Sequence, residues 1–544
     1  MPDCVADAHR NRGGRHVSGR GQTARPLLIS TAIAVLATGA AYAFGPQASA
    51  DRSAASAQRQ AAAEVTVPTS AASCRVDARF PKREMRGVWI AAIHNLDWPS
   101  RGARTPERQR AEYLKILDAA VRHRLNAVFV QVRPASDALY RSSLEPWSQW
   151  LTGTAGKDPG WDPLPFLIKE AHKRGLEFHA WFNPYRAALT DDVTKLPARH
   201  PARLHPEWTV KHEGRLYYDP GLPEVRDWVT KVVTDVVRRY DVDGVHFDDY
   251  FYPYPGKGTP FRDTATYRKY GRGKPLADWR RENVNKLIAQ VHAAVRKTKR
   301  HVKFGVSPFG IWRNKKQDPA GSATSGMSAY DAIYADAKAW IKAGTVDYVI
   351  PQLYWPRGYA AARYEVLAPW WADAVKGTDV HLYIGQALYQ VGTKDVPGWR
   401  KPGELPAHLA INRKYPQIRG DVYFSASSLL RDPLSAMSTI TKEYYRRPAL
   451  LPVPERMAGR PPAAPQGVRR SGGTLVWRHT PGARAYAVYR VNGKADACAF
   501  ADARNLVAIV PASRNPRLAV KGDGKYYVSA LDRLTNESPA VLAR

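Results

Sequence analysis

The chain has 544 residues, of which 44% are hydrophobic and 24% charged, proportions that are typical of globular proteins. This composition excludes a wholly disordered chain, a collagen-like fibre and a polytopic membrane protein. The 82 Lys and Arg against 49 Asp and Glu give a net charge of +33, which favours an anionic partner: nucleic acid, a membrane surface or an anionic wall polymer.

Residues 1–50 are predicted to form a secretory signal peptide. Five arginines precede the apolar stretch Leu27–Phe44, and Ala48-Ser49-Ala50 supplies an A-x-A cleavage site. A weak transmembrane anchor is the alternative, because the stretch is about long enough to span a bilayer. Cleavage would remove five Arg and two Asp and leave a charge of about +30. We expect a secreted protein, extracellular or associated with the cell wall, without stable membrane insertion. Residues 51–82 are predicted to be a flexible linker.

The chain has three cysteines, Cys4, Cys74 and Cys498. Cys4 lies in the predicted signal peptide, so the mature chain keeps one cysteine near each end. In an oxidising compartment these two would form a disulfide, and two unpaired thiols are the alternative. No CxxC or HExxH zinc pattern is present.

Residues 83–445 alternate between short apolar runs and longer amphipathic segments. The clearest helix is Pro223–Tyr240, where valines recur at spacings of three and one, and another is Glu107–Arg124. Eight strand-and-helix units indicate an α/β fold, a (β/α)8 TIM barrel. An open doubly wound sheet is the alternative, but no GxGxxG turn supports it. The predicted strands are Gly87–Ile93, Ala127–Val132, Glu177–Phe182, Gly244–Phe247, Lys303–Val306, Tyr348–Ile350, His381–Gly385 and Val422–Ser425.

A second, smaller domain is predicted after the barrel. Residues 446–466 are rich in proline and are predicted to be a linker that keeps the two domains apart. Residues 467–544 then indicate a small C-terminal β-sandwich that resembles a fibronectin type III domain. Its predicted strands are Thr474–Trp477, Ala485–Val491, Val507–Val510 and Lys525–Ala530.

Asp248 and Asp249 are the predicted catalytic residues. They follow the fourth strand, and barrel enzymes carry their catalytic groups at the carboxyl ends of strands. Two neighbouring carboxylates push their pKa values apart, so one can hold a proton while the other stays ionised. Cleavage of a glycosidic bond needs those two roles. The alternative is a pair that caps the next helix or binds arginine.

Other polar and aromatic residues follow the remaining strands, as a saccharide-binding cleft requires. A metal site at His94, His179 and His246 is conceivable, but the HxH spacing of metal-dependent barrel hydrolases is absent. We therefore expect no metal and no cofactor, and no nucleic-acid motif is present. The predicted substrate-binding residues are Trp89, Asn95, Gln131, Arg133, Asp137, Trp181, Asn183, Arg186, His246, Tyr250, Gln352, Tyr354 and Trp355.

Seven segments between residues 84 and 355, in order along the chain, resemble the glycosyl-hydrolase-like family ten, formerly catalogued as an uncharacterised domain in lipoproteins. The resemblance implies a TIM-barrel glycoside hydrolase, and some members of that family cleave peptidoglycan strands stripped of their stem peptides. The segments are Glu84–Ile90, Asn126–Pro134, Ala180–Arg186, Leu216–Gly221, Val245–Pro253, Gly305–Arg313 and Pro351–Trp355.

We therefore expect a secreted glycoside hydrolase that acts on an anionic cell-wall glycan. Because the sugars of peptidoglycan carry 2-acetamido groups, the adjacent aspartates suit substrate-assisted catalysis. A conventional pair, with Asp137 or Glu145 as the second acid, remains open. Two other functions also remain open: hydrolysis of another extracellular polysaccharide, and binding of wall glycan without catalysis.

Overall fold

The computed structural model of the protein describes residue 74 and residues 76–256 and 258–544. The predicted signal peptide, Cys4 and most of the predicted linker therefore lie outside the described residues. In the part that is described, no helix is both long and apolar enough to cross a membrane.

The order of elements follows the predicted alternation of strand and helix. In chain order, the strands of the described residues are β1 Met85–Ile90, β2 Ala127–Arg133, β3 Glu177–Phe182, β4 Arg186–Ala188, β5 Thr209–His212, β6 Arg215–Tyr218, β7 Gly244–Phe247, β8 Lys303–Val306, β9 Tyr348–Val349, β10 His381–Gln386, β11 Ile418–Tyr423, β12 Arg469–Ser471, β13 Thr474–Val476, β14 Ala485–Val491, β15 Leu506–Pro511, β16 Arg517–Ala519, β17 Lys525–Leu531 and β18 Val541–Leu542. The α-helices are α1 Pro106–Arg122, α2 Gln149–Thr152, α3 Pro163–Lys173, α4 Pro201–Leu204, α5 Pro223–Arg239, α6 Thr264–Tyr270, α7 Leu276–Thr298, α8 Ala329–Ala332, α9 Ala337–Ala343, α10 Tyr364–Ala374, α11 Glu404–Asn412, α12 Ala426–Arg431, α13 Ala436–Glu443 and α14 Ala497–Ala501.

Among the described residues, eight parallel strands close into a barrel, which confirms the predicted TIM barrel. The strands neighbour each other in the order β1-β2-β3-β7-β8-β9-β10-β11, and β11 pairs with β1. All eight predicted strands are present, and their observed ends differ from the predicted ends by at most a few residues. Closure of the sheet rules out the open doubly wound alternative.

The helices form for the reasons visible in their sequences. Thr105 caps α1 by accepting a hydrogen bond from the backbone N–H of Arg108, and proline occupies the first helical position. In α5 the valine stripe, including Val229 and Val236, is fully buried against the barrel.

Aromatic rings fill much of the barrel interior. The Phe129 ring lies 4.5 Å from His179 and 5.1 Å from His246, centroid to centroid, and His246 stacks on Tyr348 at 6.0 Å. Glycine makes room for these rings, because a Cβ atom at Gly305 would lie 2.2 Å from the Tyr348 ring. The interior is therefore packed with side chains and supports the residues above it.

A small antiparallel sheet, which we did not predict, follows the third barrel strand. Its strands lie in the order β4-β6-β5. Arg186 and Ala188 of β4 pair with Tyr217 and Leu216 of β6, so the insertion holds the chain just beyond β3.

The C-terminal residues form two antiparallel sheets, β12-β13-β16 and β15-β14-β17-β18. Leu475 of the first sheet and Val488 and Val528 of the second belong to one buried hydrophobic cluster. The four predicted strands are present, and β12, β16 and β18 are additional. The likeness to a fibronectin type III domain stays a prediction.

The C-terminal module packs against the barrel and is not held away from it by the proline-rich segment. Leu450, in that segment, is buried among module residues, while its backbone bonds to Lys82 and Glu84 at the start of the barrel. A disulfide joins Cys74 to Cys498 of the module. The segment is therefore part of the contact between the two domains.

Candidate active site

The predicted catalytic pair lies at the carboxyl end of the barrel, directly after β7. Asp248 and Asp249 are 4% and 3% exposed, so both carboxyl groups have left most of their water. Burial of two adjacent acids is costly unless hydrogen bonds or a cation compensate for it. Their partners therefore indicate how each carboxyl group is used.

Asp248 binds side chains that come from the end of β3. Its Oδ2 accepts a hydrogen bond from Trp181 Nε1 at 2.9 Å, and Asn183 Nδ2 lies 3.2 Å from the same oxygen. The backbone N–H of Tyr250 donates to its Oδ1 at 3.2 Å. Burial, reinforced by the charge of Asp249, raises the pKa of Asp248 to about 7. This carboxyl group can therefore hold or release a proton near neutral pH.

Asp249 has a different set of partners. Gln352 Nε2 donates to its Oδ1 at 2.6 Å, and the Tyr254 hydroxyl donates to its Oδ2. Gln352 is itself held by the Ser307 carbonyl oxygen at 2.9 Å. Burial raises the pKa of Asp249, and these two donors oppose that rise by stabilising the ionised form. The two neighbours thus have separate environments, as a division of roles requires.

Arg186 supplies the positive charge beside the pair. Its guanidinium lies 4.4 Å from the centre of the Tyr250 ring, and its charge lowers the pKa of both aspartates. The Arg186 backbone N–H donates to Asn183 Oδ1 at 2.8 Å. Asn183 therefore connects the backbone at Arg186 to the side chain of Asp248. Arg186 is part of β4, so the inserted β4-β6-β5 sheet fixes this backbone in place.

Partly exposed aromatic rings surround the carboxylates. Tyr254 lies 5.0 Å from Tyr250 and 5.2 Å from Phe309, and Tyr354 lies 5.8 Å from Tyr389, centroid to centroid. Such rings can stack on the faces of sugar rings while the carboxylates and amides bind hydroxyl groups. Trp355, also half-buried, packs over the backbone at Gly310. The surroundings of the pair suit a saccharide.

Several predicted substrate-binding residues are instead engaged inside the protein. His246 is fully buried and accepts from Trp89 Nε1 at 3.2 Å, because inward-facing strand residues fill the barrel. Gln131 Oε1 accepts the backbone N–H groups of Ala92 and Ile93 at 3.0 and 2.9 Å. Asn95 donates to backbone carbonyl oxygens of Pro99 and Trp150. These residues shape the loop after β1 and the floor beneath the pair.

Arg133 is likewise enclosed, in an ion pair with Glu145. Both side chains are at most 1% exposed, and Arg133 Nε lies 2.8 Å from Glu145 Oε2. Arg133 Nη1 also donates to the Asn183 carbonyl oxygen at 2.5 Å. Arg133 therefore clamps the backbone of the residue whose side chain reaches Asp248. Asp137 accepts the Ala135 N–H at 2.9 Å, and burial raises its pKa to about 6.

Four aromatic residues of this region are absent from the predicted substrate-binding set, namely Tyr254, Phe309, Tyr389 and Phe424. Tyr254 binds Asp249, and the Phe424 ring lies 6.2 Å from Tyr354. The run of aromatic residues after Asp249 was a usable signal for Tyr254. The approach of Phe424 to Tyr354 depends on tertiary structure, because β10 pairs with both β9 and β11 and so brings the ends of those two strands together.

The chain is similar in sequence to proteins that are named as glycosyl hydrolases. Residues 84–401 match the family described as "Glycosyl hydrolase-like 10". The chain is 42% identical over 475 residues to "Glycosyl hydrolase YngK" of Bacillus subtilis (strain 168), which covers 84% of this chain and 92% of that protein. It is 45% identical over 362 residues to "Glycosyl hydrolase DigH" of Escherichia coli (strain K12), and the alignment covers 62% of this chain and 82% of that protein. The solved glycoside hydrolase domain of PgaB (BpsB) from Bordetella bronchiseptica aligns with 66% of this chain and 99% of that chain, at a TM-score of 0.46 and 16% identity.

Proposed function

Because this chain belongs to the glycosyl hydrolase-like 10 family and is a glycoside hydrolase, we propose that it is secreted and that it cleaves the glycan strands of bacterial peptidoglycan, stripped of their stem peptides. The observation that carries the chemistry is the buried pair Asp248 and Asp249, whose carboxyl groups have separate partners at the barrel mouth. The charge of about +30 that remains once the predicted signal peptide is removed suits an anionic wall. The Cys74–Cys498 disulfide supports a location outside the reducing cytoplasm.

We propose substrate-assisted catalysis. One aspartate orients and polarises the N–H of the 2-acetamido group, whose carbonyl oxygen then attacks the anomeric carbon. As that C–O bond forms, the glycosidic C–O bond breaks, and the leaving oxygen takes a proton from the other aspartate. Water then opens the cyclised sugar after giving a proton back to that aspartate, so the enzyme returns to its starting state.

The contacts of the other acids favour the adjacent pair. The Glu145 side chain is fully buried in its ion pair with Arg133, which leaves it no open approach to a substrate. Gln352 and Gln386, at the ends of β9 and β10, are amides and cannot donate a carboxyl proton. Asp137 is the remaining candidate for a conventional pair with one of the two aspartates.

A panel of substrates tests the function. We expect the enzyme to release reducing ends from purified glycan strands without peptides, less from peptide-bearing peptidoglycan, and none from neutral β-glucans. The Asp248→Asn and Asp249→Asn variants serve as matched controls for contaminating activity. A thiazoline mimic of the cyclised intermediate should inhibit competitively. Preferential cleavage of another polysaccharide would refute the proposed substrate, and a lack of inhibition would refute the proposed mechanism.

A further inference from the structure

The C-terminal module carries a surplus of positive charge. Residues 467–544 contain 13 Lys and Arg but only five Asp and Glu. Arg504 pairs with Asp502, while Arg484 and Arg533 pair with acids of the barrel. Within the described residues, no ion pair joins any other Lys or Arg of the module to an acid.

Two of these arginines project from the same face of the β12-β13-β16 sheet. Arg469 is opposite Val476, and Val476 is opposite Arg517, so the three side chains form one row across the strands. Leu475, the neighbour of Val476, is fully buried on the other face. Because side chains alternate along a strand, Arg469 and Arg517 face solvent, about 10 Å apart across two strand spacings.

Further exposed cations extend this row. Arg478 follows Val476 by two residues and is exposed, as is Lys521, four residues after Arg517. Asp523, two residues after Lys521, is an acid in the same segment. We call this surface the cationic face; it consists of Arg469, Arg478, Arg517 and Lys521.

We propose that the cationic face binds a linear phosphodiester polymer attached to the cell wall. The charges lie on or just after the three strands β12, β13 and β16, which suits a chain of repeated anions better than one isolated phosphate. Three of the four residues are arginines, whose planar guanidinium groups match phosphate oxygens in pairs. The neighbouring outward side chains Ser471, Thr474 and Ala519 are small, and a membrane-binding surface would need large apolar side chains there. The module would thereby hold the barrel at its substrate.

The test measures binding to insoluble wall separately from catalysis. A variant with Arg469, Arg478, Arg517 and Lys521 changed to Gln is compared with one in which four exposed barrel cations are changed to Gln, so that both lose the same net charge. The probes are purified walls that carry their phosphodiester polymer and the same walls after its removal with hydrofluoric acid. The barrel residues changed in the control are Arg300, Lys376, Lys414 and Lys442.

We expect the variant of the cationic face to bind polymer-bearing walls about tenfold more weakly than the wild type, and the barrel control to bind nearly normally. Wild-type binding should fall with added salt, with competing inorganic polyphosphate, and after hydrofluoric acid treatment. Turnover of soluble glycan and the melting temperature should stay unchanged, which separates this result from a failure of the catalytic proposal or of folding.

Equal losses in both variants would show that overall charge, not this face, drives binding, and would overturn the proposal. Equal binding to intact and stripped walls would also overturn it, as would preferential binding to anionic lipid vesicles or to DNA. If the variant of the cationic face melts early, the single changes Arg469→Gln and Arg517→Gln must each weaken binding in a correctly folded chain, or the proposal fails.

Discussion

Asp248 and Asp249 are neighbours in the sequence, but among the described residues they share no hydrogen-bond partner. This difference predicts that each has its own role and that catalysis needs both. We expect Asp248→Asn and Asp249→Asn each to lower kcat by about 10²–10⁴, as for acid–base groups. Steady-state kinetics on soluble peptide-free glycan measures the effect. Melting temperatures no lower than that of the wild type would show that the loss is chemical and not a loss of folding.

Asp137 provides the comparison for this pair. We expect Asp137→Asn mainly to raise KM. Its carboxylate accepts a hydrogen bond from the Ala135 backbone N–H, so the change should disturb the loop after β2 and weaken substrate binding more than it slows the chemical step. If Asp137→Asn abolishes turnover while either Asp248→Asn or Asp249→Asn stays nearly wild type, the adjacent-pair mechanism is wrong.

The raised pKa of Asp248 predicts a step in the pH profile. Since burial moves this pKa from its usual acidic range to about 7, kcat/KM should change near pH 7, and the step should be missing in the residual activity of Asp248→Asn. A fall of activity above pH 7 assigns the proton donor to Asp248, whereas a rise assigns that role to Asp249. A step that persists in Asp248→Asn belongs to another group and contradicts the assignment.

The same pKa has a consequence for stability. A carboxyl group whose folded pKa lies above its unfolded value destabilises the fold as pH rises from about 4 to 7, and the cost persists above that. The free energy of unfolding of Asp248→Asn should therefore rise relative to that of the wild type as pH increases, by an amount of the order of a few kcal/mol. Denaturant unfolding at pH 4 and pH 8 measures this gain. An equal difference at both pH values would contradict it.

Breaking the Arg133–Glu145 ion pair tests whether Arg133 supports the fold or binds the substrate directly. Arg133→Met should lower the free energy of unfolding by about 3–5 kcal/mol, because it leaves the Glu145 charge buried and unpaired. The double change Arg133→Met with Glu145→Leu should recover much of this loss. Urea unfolding of the wild type and the variants tests this coupling. A stable Arg133→Met protein with a raised KM would instead mean that Arg133 contacts the glycan, as the sequence alone suggested.

At the scale of elements, the barrel was the easiest part to predict. Its strands are covered on both sides and are therefore rich in buried apolar residues. The strands Glu177–Phe182 and Lys303–Val306 occur as predicted. Position at the end of such a strand was also enough to single out Asp248 and Asp249. Local sequence carries this information, because each barrel strand is followed directly by its loop.

The inserted sheet and the side-chain partners could not be predicted in the same way. Strands Thr209–His212 and Arg215–Tyr218 are short and rich in polar residues, and Arg186–Ala188 pairs with the second of them across a long stretch of chain. Arg133 resembled a binding residue because its enclosing partner, Glu145, lies on a loop whose path depends on the whole fold. Pairings that depend on tertiary structure leave no periodic signal.

At the scale of the whole molecule, the contacts of the proline-rich segment change what truncation should do. A chain ending at Arg447 loses Leu450, whose carbonyl oxygen accepts the Glu84 N–H at 2.7 Å, together with the Lys82–Glu537 ion pair. We expect its melting temperature to fall by about 5 °C or more. A full-length Cys74→Ser, Cys498→Ser protein separates the effect of packing from that of the disulfide. A truncated chain as stable as the full-length protein would show that these contacts contribute little.

The bond between Cys74 and Cys498 joins positions 424 residues apart, and the whole barrel lies between them. Backbone and disulfide together make a covalent ring. A protease that cuts this ring once, for example at the exposed residues 258–260, opens it but releases no piece, and a second cut is needed before a fragment can leave without reduction. The two sides of a first cut would thus stay tethered, and the carboxylate pair would stay with the strands that support it.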